Sequence, residues 1–182
     1  MKKTIMLFAL AGFTTLTFAQ KKKTTTSATI SFDATTKLDA LPKAENKTVV
    51  ASINPKTGDV AFESIVKSFT FSNPMMQDHF NSAKWLDSEK YPKATFKGKI
   101  TNLAEVNFAK DGTYSATIAG DLSLHGVTKP VNTTATILVK GKEVKTTTDF
   151  TIKLSDYAVE GGAIAGGKVA TDPKIIVVAN FK

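Results

Sequence analysis

The chain contains no cysteine. That excludes disulfides, thiol catalysis, cysteine metal sites and an N-terminal lipid anchor on a cysteine. It contains no arginine either, so all 24 basic residues are lysines. The planar guanidinium fork is the usual reader of guanine and phosphate, and its absence argues against a nucleic-acid partner. Histidine is nearly absent: His79 and His125 lie far apart in the sequence. A catalytic zinc commonly needs three protein ligands, and only Asp78 neighbours His79, so the expectation is no metal site and no cofactor. No G-x-S-x-G nucleophile motif occurs. Nothing in the spacing of the 16 carboxylates selects an acid/base pair, so no catalytic residue is assigned. Gly161–Gly167 (GGAIAGG) is glycine-rich but does not match G-x-G-x-x-G, and no βαβ pattern surrounds it. It reads as a loop between late strands, with a flap at a barrel mouth as its functional version.

Long apolar runs are also missing, except at the start. Lys2 and Lys3 precede a mostly apolar stretch, Ile5–Phe18, which threonines interrupt and which is short for a membrane span. Thr17-Phe18-Ala19 resembles a small-x-small cleavage site, so residues 1–19 read as a signal peptide, with a retained anchor as the alternative. The expectation is an exported protein, periplasmic or secreted. Residues 20–27, with the run KKKTTTS, read as a flexible leader whose lysines could meet anionic headgroups. Residues 28–182 read as one domain. Without disulfides it must rely on its core, and its length suffices to bury about 70% of the unfolded surface. Formal net charge is +8, which favours solubility and makes an anionic membrane surface a candidate peripheral contact.

What the chain does have is period two. Ala28, Ile30 and Phe32 alternate with polar residues. Ala94, Phe96, Gly98 and Ile100 share one face against Thr95, Lys97 and Lys99. Tyr114, Ala116, Ile118, Gly120, Leu122 and Leu124 oppose Thr113, Ser115, Thr117, Asp121 and Ser123. Val131, Ala135, Ile137 and Val139 follow, then Phe150, Ile152 and Leu154, and a final apolar run from Ile175 to Phe181. Asn54–Gly58 and His125-Gly126 are turn signals. One segment breaks the pattern: Pro74 to Lys90 has Met75, His79, Phe80, Trp85 and Leu86 at roughly helical spacing and ends before Pro92. The fold class is therefore all-β, an antiparallel barrel or sandwich of about eight strands with a short helical insert near residues 74–90. Charged outer faces and the lack of aromatic girdles favour an apolar interior over a lipid-facing barrel. Ala116, Gly120 and Ala135 are small enough to leave room inside. Alternation alone leaves open whether the interior is filled by side chains or holds one ligand.

Three elements resemble the YceI-like family of bacterial secreted proteins. Gln77-Asp78-His79-Phe80 leading to Trp85 is similar to the family's D-x-H-L-like segment. Tyr91-Pro92-Lys93-Ala94-Thr95-Phe96 matches Y-P-x-A-x-F. Gly120–Val131 (GDLSLHGVTKPV) matches G-x-L-T-[IL]-x-G-V-T-K-P-V, with Ser123 for the first threonine. The resemblance covers Asp59 to Lys182. It implies a lipocalin-like barrel that holds a long-chain isoprenoid or other amphipathic lipid non-covalently and is not an enzyme. On that reading Phe96, Tyr114, Ile118, Leu122, Ile137, Phe150 and Ile152 are candidates for the cavity wall, and His79, Trp85 and Tyr91 for its mouth. Two other readings stand beside it: a ligand-free envelope module with a filled barrel, and an enzyme acting on a lipid-like substrate. Monomer and homodimer are equally compatible with the sequence.

Overall fold

The computed structural model describes residues 21–182. The signal peptide expected at residues 1–19 lies outside the described residues. The strands are β1 (Lys23–Asp33), β2 (Lys43–Ile53), β3 (Asp59–Ile65), β4 (Thr70–Phe71), β5 (Lys93–Ile100), β6 (Gly112–Leu124), β7 (Val127–Lys140), β8 (Glu143–Thr151) and β9 (Lys174–Phe181). All pairings are antiparallel. Eight strands close a barrel in the order β1-β9-β8-β7-β6-β5-β3-β2, and β1 pairs with β2 to complete the ring. The short β4 hangs on β2 through Ala44 and Glu45. Closure removes the free edges that an open sheet would present for aggregation.

β1 begins at Lys23, where a flexible leader was expected. Lys23, Thr24 and Thr25 pair with Ile53, Ser52 and Ala51. A threonine-rich run carries no apolar alternation, yet its β-branched residues suit a strand once a neighbour supplies the ladder.

Alternation sets the faces. On β6, Ala116 and Ile118 are buried while Thr113, Ser115 and Thr117 are exposed, and on β7, Ala135, Ile137 and Val139 are buried against exposed Thr134, Thr136 and Leu138. The interior is divided along its length. One half is filled: Val49, Ile53, Ile100, Ile137, Val139, Val144 and Phe181 pack together with Ala28, Ala51, Ala116, Ala135 and Ala179. Ala116 and Ala135 are fully enclosed there, so they bring strands together and leave no space, contrary to the expectation. The other half is roofed by Phe69, Phe80, Leu86, Leu154, Tyr157 and Val169, which come from the segments outside the barrel strands.

Two devices hold the open half. The β2–β3 ladder runs only from Val50 to Ile53 on β2. Beyond it, buried Asn46 bridges the strands, its Nδ2 donating to Ser64 Oγ (2.9 Å) and to the Ile65 carbonyl (3.0 Å), while its Oδ1 accepts from the backbone N–H and the hydroxyl of Thr48. All four of its hydrogen-bonding positions are filled. Asn46→Ala is expected to lower unfolding free energy by about 2–3 kcal/mol, because it leaves buried partners unsatisfied; urea unfolding of the variant measures it.

On the opposite side, β7 outruns its last partner on β8, at Ala135–Thr148. Pro130, which has no N–H to offer a ladder, lies in this stretch of β7. A short turn of helix, Leu154–Tyr157, packs beside β7 there.

The insert is a single helix, α1 (Pro74–Asn81), with Pro74 in its first turn and Asn73 capping it by accepting from the Met75 N–H. Ser82 to Lys90 is a series of turns, so the helical spacing of Trp85 and Leu86 is not helix. The glycine-rich loop forms one helical turn, α2 (Gly162–Ala165).

Candidate ligand-binding cavity

The open half of the barrel holds ≈ 1050 Å³ of unfilled space, counted with its solvent-open part. Barrel strands supply most of the wall: Ile30 and Phe32 from β1, Phe62 and Ser64 from β3, Ala94, Thr95 and Phe96 from β5, Ile118, Leu122 and Leu124 from β6, Val131 and Thr133 from β7, Thr148 and Phe150 from β8, and Ile175 and Val177 from β9. Val66, Phe69, Phe80, Trp85, Leu86, Ile152 and Leu154 complete it at the roof.

No charged side chain lines this space. Three of its hydroxyls are already engaged. Ser64 accepts from Asn46, Thr148 donates to the Thr134 carbonyl (2.9 Å), and Thr133 donates to the Asp149 carbonyl (3.2 Å) while lying 2.9 Å from Thr148 Oγ1. Enclosed water needs two to four polar partners, so a wall of this kind favours an apolar occupant over a water cluster.

Phe96 owes its position to glycine. Gly98 and Gly120 face each other across β5 and β6. A Cβ on Gly120 would fall 2.6 Å from the Phe96 ring and 2.5 Å from both Gly98 Cα and the Lys97 carbonyl oxygen; one on Gly98 would fall 2.7 Å from the same ring. The ring therefore lies over a bare patch of backbone instead of projecting across the cavity.

Among the wall candidates, Phe96, Ile118, Leu122, Phe150 and Ile152 line the cavity. Tyr114 and Ile137 do not. They pair with each other across β6 and β7 at the filled end, where Ile137 is fully enclosed and the Tyr114 hydroxyl donates to the Lys110 carbonyl. Sequence reading missed the β1 residues Ile30 and Phe32 and the β3 residue Phe62 as wall. Their alternation was the available signal. Phe69 and Phe80 lie outside the barrel ladder, so alternation could not place them in the wall.

The mouth candidates separate. Trp85 lines the cavity and also a smaller chamber beside α1, ≈ 440 Å³ counted with its solvent-open part. His79 lines the chamber only, with Phe32, Pro42, Phe71, Met76, Phe80, Ala163 and Val169. Phe32, Phe80 and Trp85 face both spaces, so one layer of rings stands between them. Phe80 is fixed by Phe32, Phe69 and Phe71, with centroids 5.8, 5.6 and 4.9 Å away.

Tyr91 lines neither space. Its ring meets His125 edge-on at 4.8 Å and covers Gly126. His125 and Gly126 form the β6–β7 turn with φ of 51° and 77°, the left-handed angles that a two-residue hairpin requires. A carbonyl oxygen only accepts, so the contact between His125 Nδ1 and the Tyr157 carbonyl (2.9 Å) places a proton on Nδ1. This ties the turn to the segment that packs beside β7. Gly126→Ala is expected to cost about 1–2 kcal/mol for the left-handed residue alone. The Tyr91 ring adds to that cost, since the new Cβ would lie 2.6 Å from it. Thermal unfolding of Gly126→Ala with and without Tyr91→Ala separates the two contributions.

Among the described residues, no cluster of three or more histidine, aspartate or glutamate side chains is placed to hold a metal ion. No helix among them is long and apolar enough to cross a membrane.

The YceI-like domain model matches residues 11–181. The chain belongs to the YceI-like family. The match reaches back through β1 and β2, beyond the Asp59 limit of the sequence resemblance. A UPF0312 protein from Pseudomonas putida is 30% identical over 118 residues, 60% of this chain and 57% of that protein. Another from Pseudomonas fluorescens is 39% identical over 90 residues, 48% of this chain and 44% of that protein. The matches thus span about half the length of these curated relatives. Among solved structures, a polyisoprenoid binding domain from Saccharophagus degradans implicated in plant cell wall breakdown superposes with a TM-score of 0.74 at 15% identity, covering 90% of this chain and 98% of that one. BcnA from Burkholderia cenocepacia gives 0.69 at 19% identity, covering 84% and 95%. These likenesses establish the YceI-like barrel fold.

Proposed function

We propose that this YceI-like protein is an exported carrier that holds the chain of a long amphipathic lipid, a polyisoprenoid or an isoprenoid quinone, inside its barrel without acting on it chemically. The observation that carries the proposal is the cavity wall: apolar, uncharged, and with Ser64, Thr133 and Thr148 already hydrogen-bonded within the protein. Each methylene taken from water into such a space contributes about 0.8 kcal/mol, so a prenyl chain binds with few polar contacts. The polyisoprenoid binding domain of Saccharophagus degradans, with the same fold, supports the choice of ligand class. The lysine-led apolar start of the sequence supports export.

The competing module with a filled barrel has one observation in its favour, the tightly packed half around Ile137 and Phe181. Delipidation followed by titration with a prenyl lipid decides between them. The carrier takes up the lipid saturably, near one molecule per chain; a filled barrel shows no saturable uptake. Export is tested by cell fractionation and N-terminal sequencing, which should find the mature chain starting at Gln20.

A further inference from the structure

The filled end of the barrel carries charge that the fold does not pair. It is built from the start of β1, the β2–β3 and β7–β8 hairpins, the connection from β5 to β6 at residues 101–111, and the end of β9. Lys21, Lys22 and Lys23 enter there. Lys56 sits on the first hairpin, Lys110 on the connection, and Lys140 and Lys142 flank Gly141 on the second hairpin, while Lys182 follows β9. All are exposed except Lys23, which is half-buried and donates to the Lys142 carbonyl (2.6 Å). The acids of the same segments are fewer: Asp59, Glu105, Asp111 and Glu143. Asp111 accepts from the Gly141 N–H (2.7 Å), Glu105 from the Asn102 amide (2.9 Å) and Asp59 from the Thr57 hydroxyl. Every ion pair among the described residues lies in the mouth half, on β2, at the β1–β2, β3–β5 and β8–β9 contacts or on the roof. The lysines of the filled end are therefore without a carboxylate partner.

A lysine ammonium is a point charge that answers any dense negative field, and it lacks the guanidinium fork suited to a shaped anion. Each lysine held near an anionic membrane surface adds to binding. No large apolar side chain is exposed on the loops of this end. Among the described residues, Leu38, Leu41 and Met75 are exposed on the mouth segments, and Val50, Ile65 and Leu138 on strands. Contact at the filled end is thus electrostatic, without insertion. The sequence points to the same partner. The apolar stretch Ile5–Phe18 precedes β1, which starts on this face. No more than about 18 Å of extended chain separates Phe18 from Lys23. While that stretch sits in a membrane, the filled end is the part of the barrel held against the membrane's surface.

We propose that the filled end is a docking face for an anionic phospholipid bilayer, with the mouth of the cavity turned away from it. The proposal is independent of what the cavity holds.

The experiment uses the chain from Gln20 onward, which contains the whole barrel, so that Ile5–Phe18 contributes nothing. Sedimentation with vesicles of equal parts phosphatidylglycerol and phosphatidylcholine should show binding that is lost at high salt and missing with phosphatidylcholine alone. Lys110→Gln, Lys140→Gln and Lys142→Gln together should weaken it roughly 100-fold, about fivefold per lysine. Lys37→Gln, Lys129→Gln and Lys168→Gln, at exposed positions of the mouth half, remove the same charge. Screening confines their influence, so they should weaken binding by less than about threefold. The chain has no cysteine, so an environment-sensitive dye can be attached at one chosen site. On Ala109→Cys, in the β5–β6 connection, it should respond to vesicles; on Leu38→Cys it should not. Equal losses in the two triple variants overturn the proposal, as does a dye response at Leu38→Cys or binding that resists salt. Failure to bind the anionic vesicles also overturns it, and binding of soluble polyglutamate in that case would assign the face to an acidic polymer instead.

Discussion

Gly120→Val is expected to be the most damaging single substitution in the barrel wall. Its Cβ would fall 2.5 Å from the Gly98 Cα and from the Lys97 carbonyl oxygen, and 2.6 Å from the Phe96 ring. The ring can swing away into the cavity, but the two backbone atoms cannot move without breaking the β5–β6 ladder around Gly98–Gly120. Inserting atoms into a packed site typically costs about 1–3 kcal/mol when side chains can yield. Here backbone must yield, so the loss should be about 3 kcal/mol or more. For a chain of this size that is a fall in Tm of roughly 6–12 °C. Gly162→Ala is the control. Nothing lies within 4 Å of the added methyl, and alanine in a helical turn stabilises by about 0.4–1 kcal/mol. Equal thermal stability of Gly120→Val and the native protein would refute the account of Phe96.

Ala94→Phe is expected to abolish ligand uptake while sparing the fold. Ala94 lies on the inward face of β5, lines the open half, and pairs through the backbone with Ser64. A phenylalanine there takes space that the chain of a ligand would occupy. Excluding about four methylenes removes about 3 kcal/mol of transfer free energy, so affinity should drop by roughly 100-fold or more. The added ring fills a void, so thermal stability should hold or rise. Thr136→Phe, on the exposed face of β7, changes the surface and not the cavity, and should leave uptake unchanged. Titration of delipidated variants with a prenyl lipid measures both. Undiminished uptake by Ala94→Phe would mean that the ligand sits elsewhere.

The two substitutions mark what could be read from the sequence. Period-two alternation identified the inward faces of β5, β6 and β7, and the His125-Gly126 turn was visible because only certain residues accept left-handed angles. Alternation says which way a residue points but not how deep it lies. Tyr114 and Ile137 face inward like Ile118 and Leu122, yet they meet at the filled end. Depth follows from the register of eight strands around the ring, a long-range property. The helical spacing of Trp85 and Leu86 misled for a related reason. Ser82 caps α1 by donating its hydroxyl to the His79 carbonyl, and tertiary packing of Leu86 then sets the path of the turns that follow. Lys23–Ser27 read as leader because polar β-branched residues show no pattern until β2 pairs with them. The family motifs have a physical counterpart in the same contacts: Tyr91 covers Gly126, and Phe96 covers the Gly98–Gly120 pair. Residues far apart in the chain thus depend on one another's size.

The most direct test of the carrier reading is native mass spectrometry, with organic extraction, of the mature protein purified without detergent from the envelope of its own cells. The account predicts one long-chain lipid per protein molecule, released on extraction. A protein that is empty as isolated, and still empty after incubation with prenyl lipids and quinones, would contradict it.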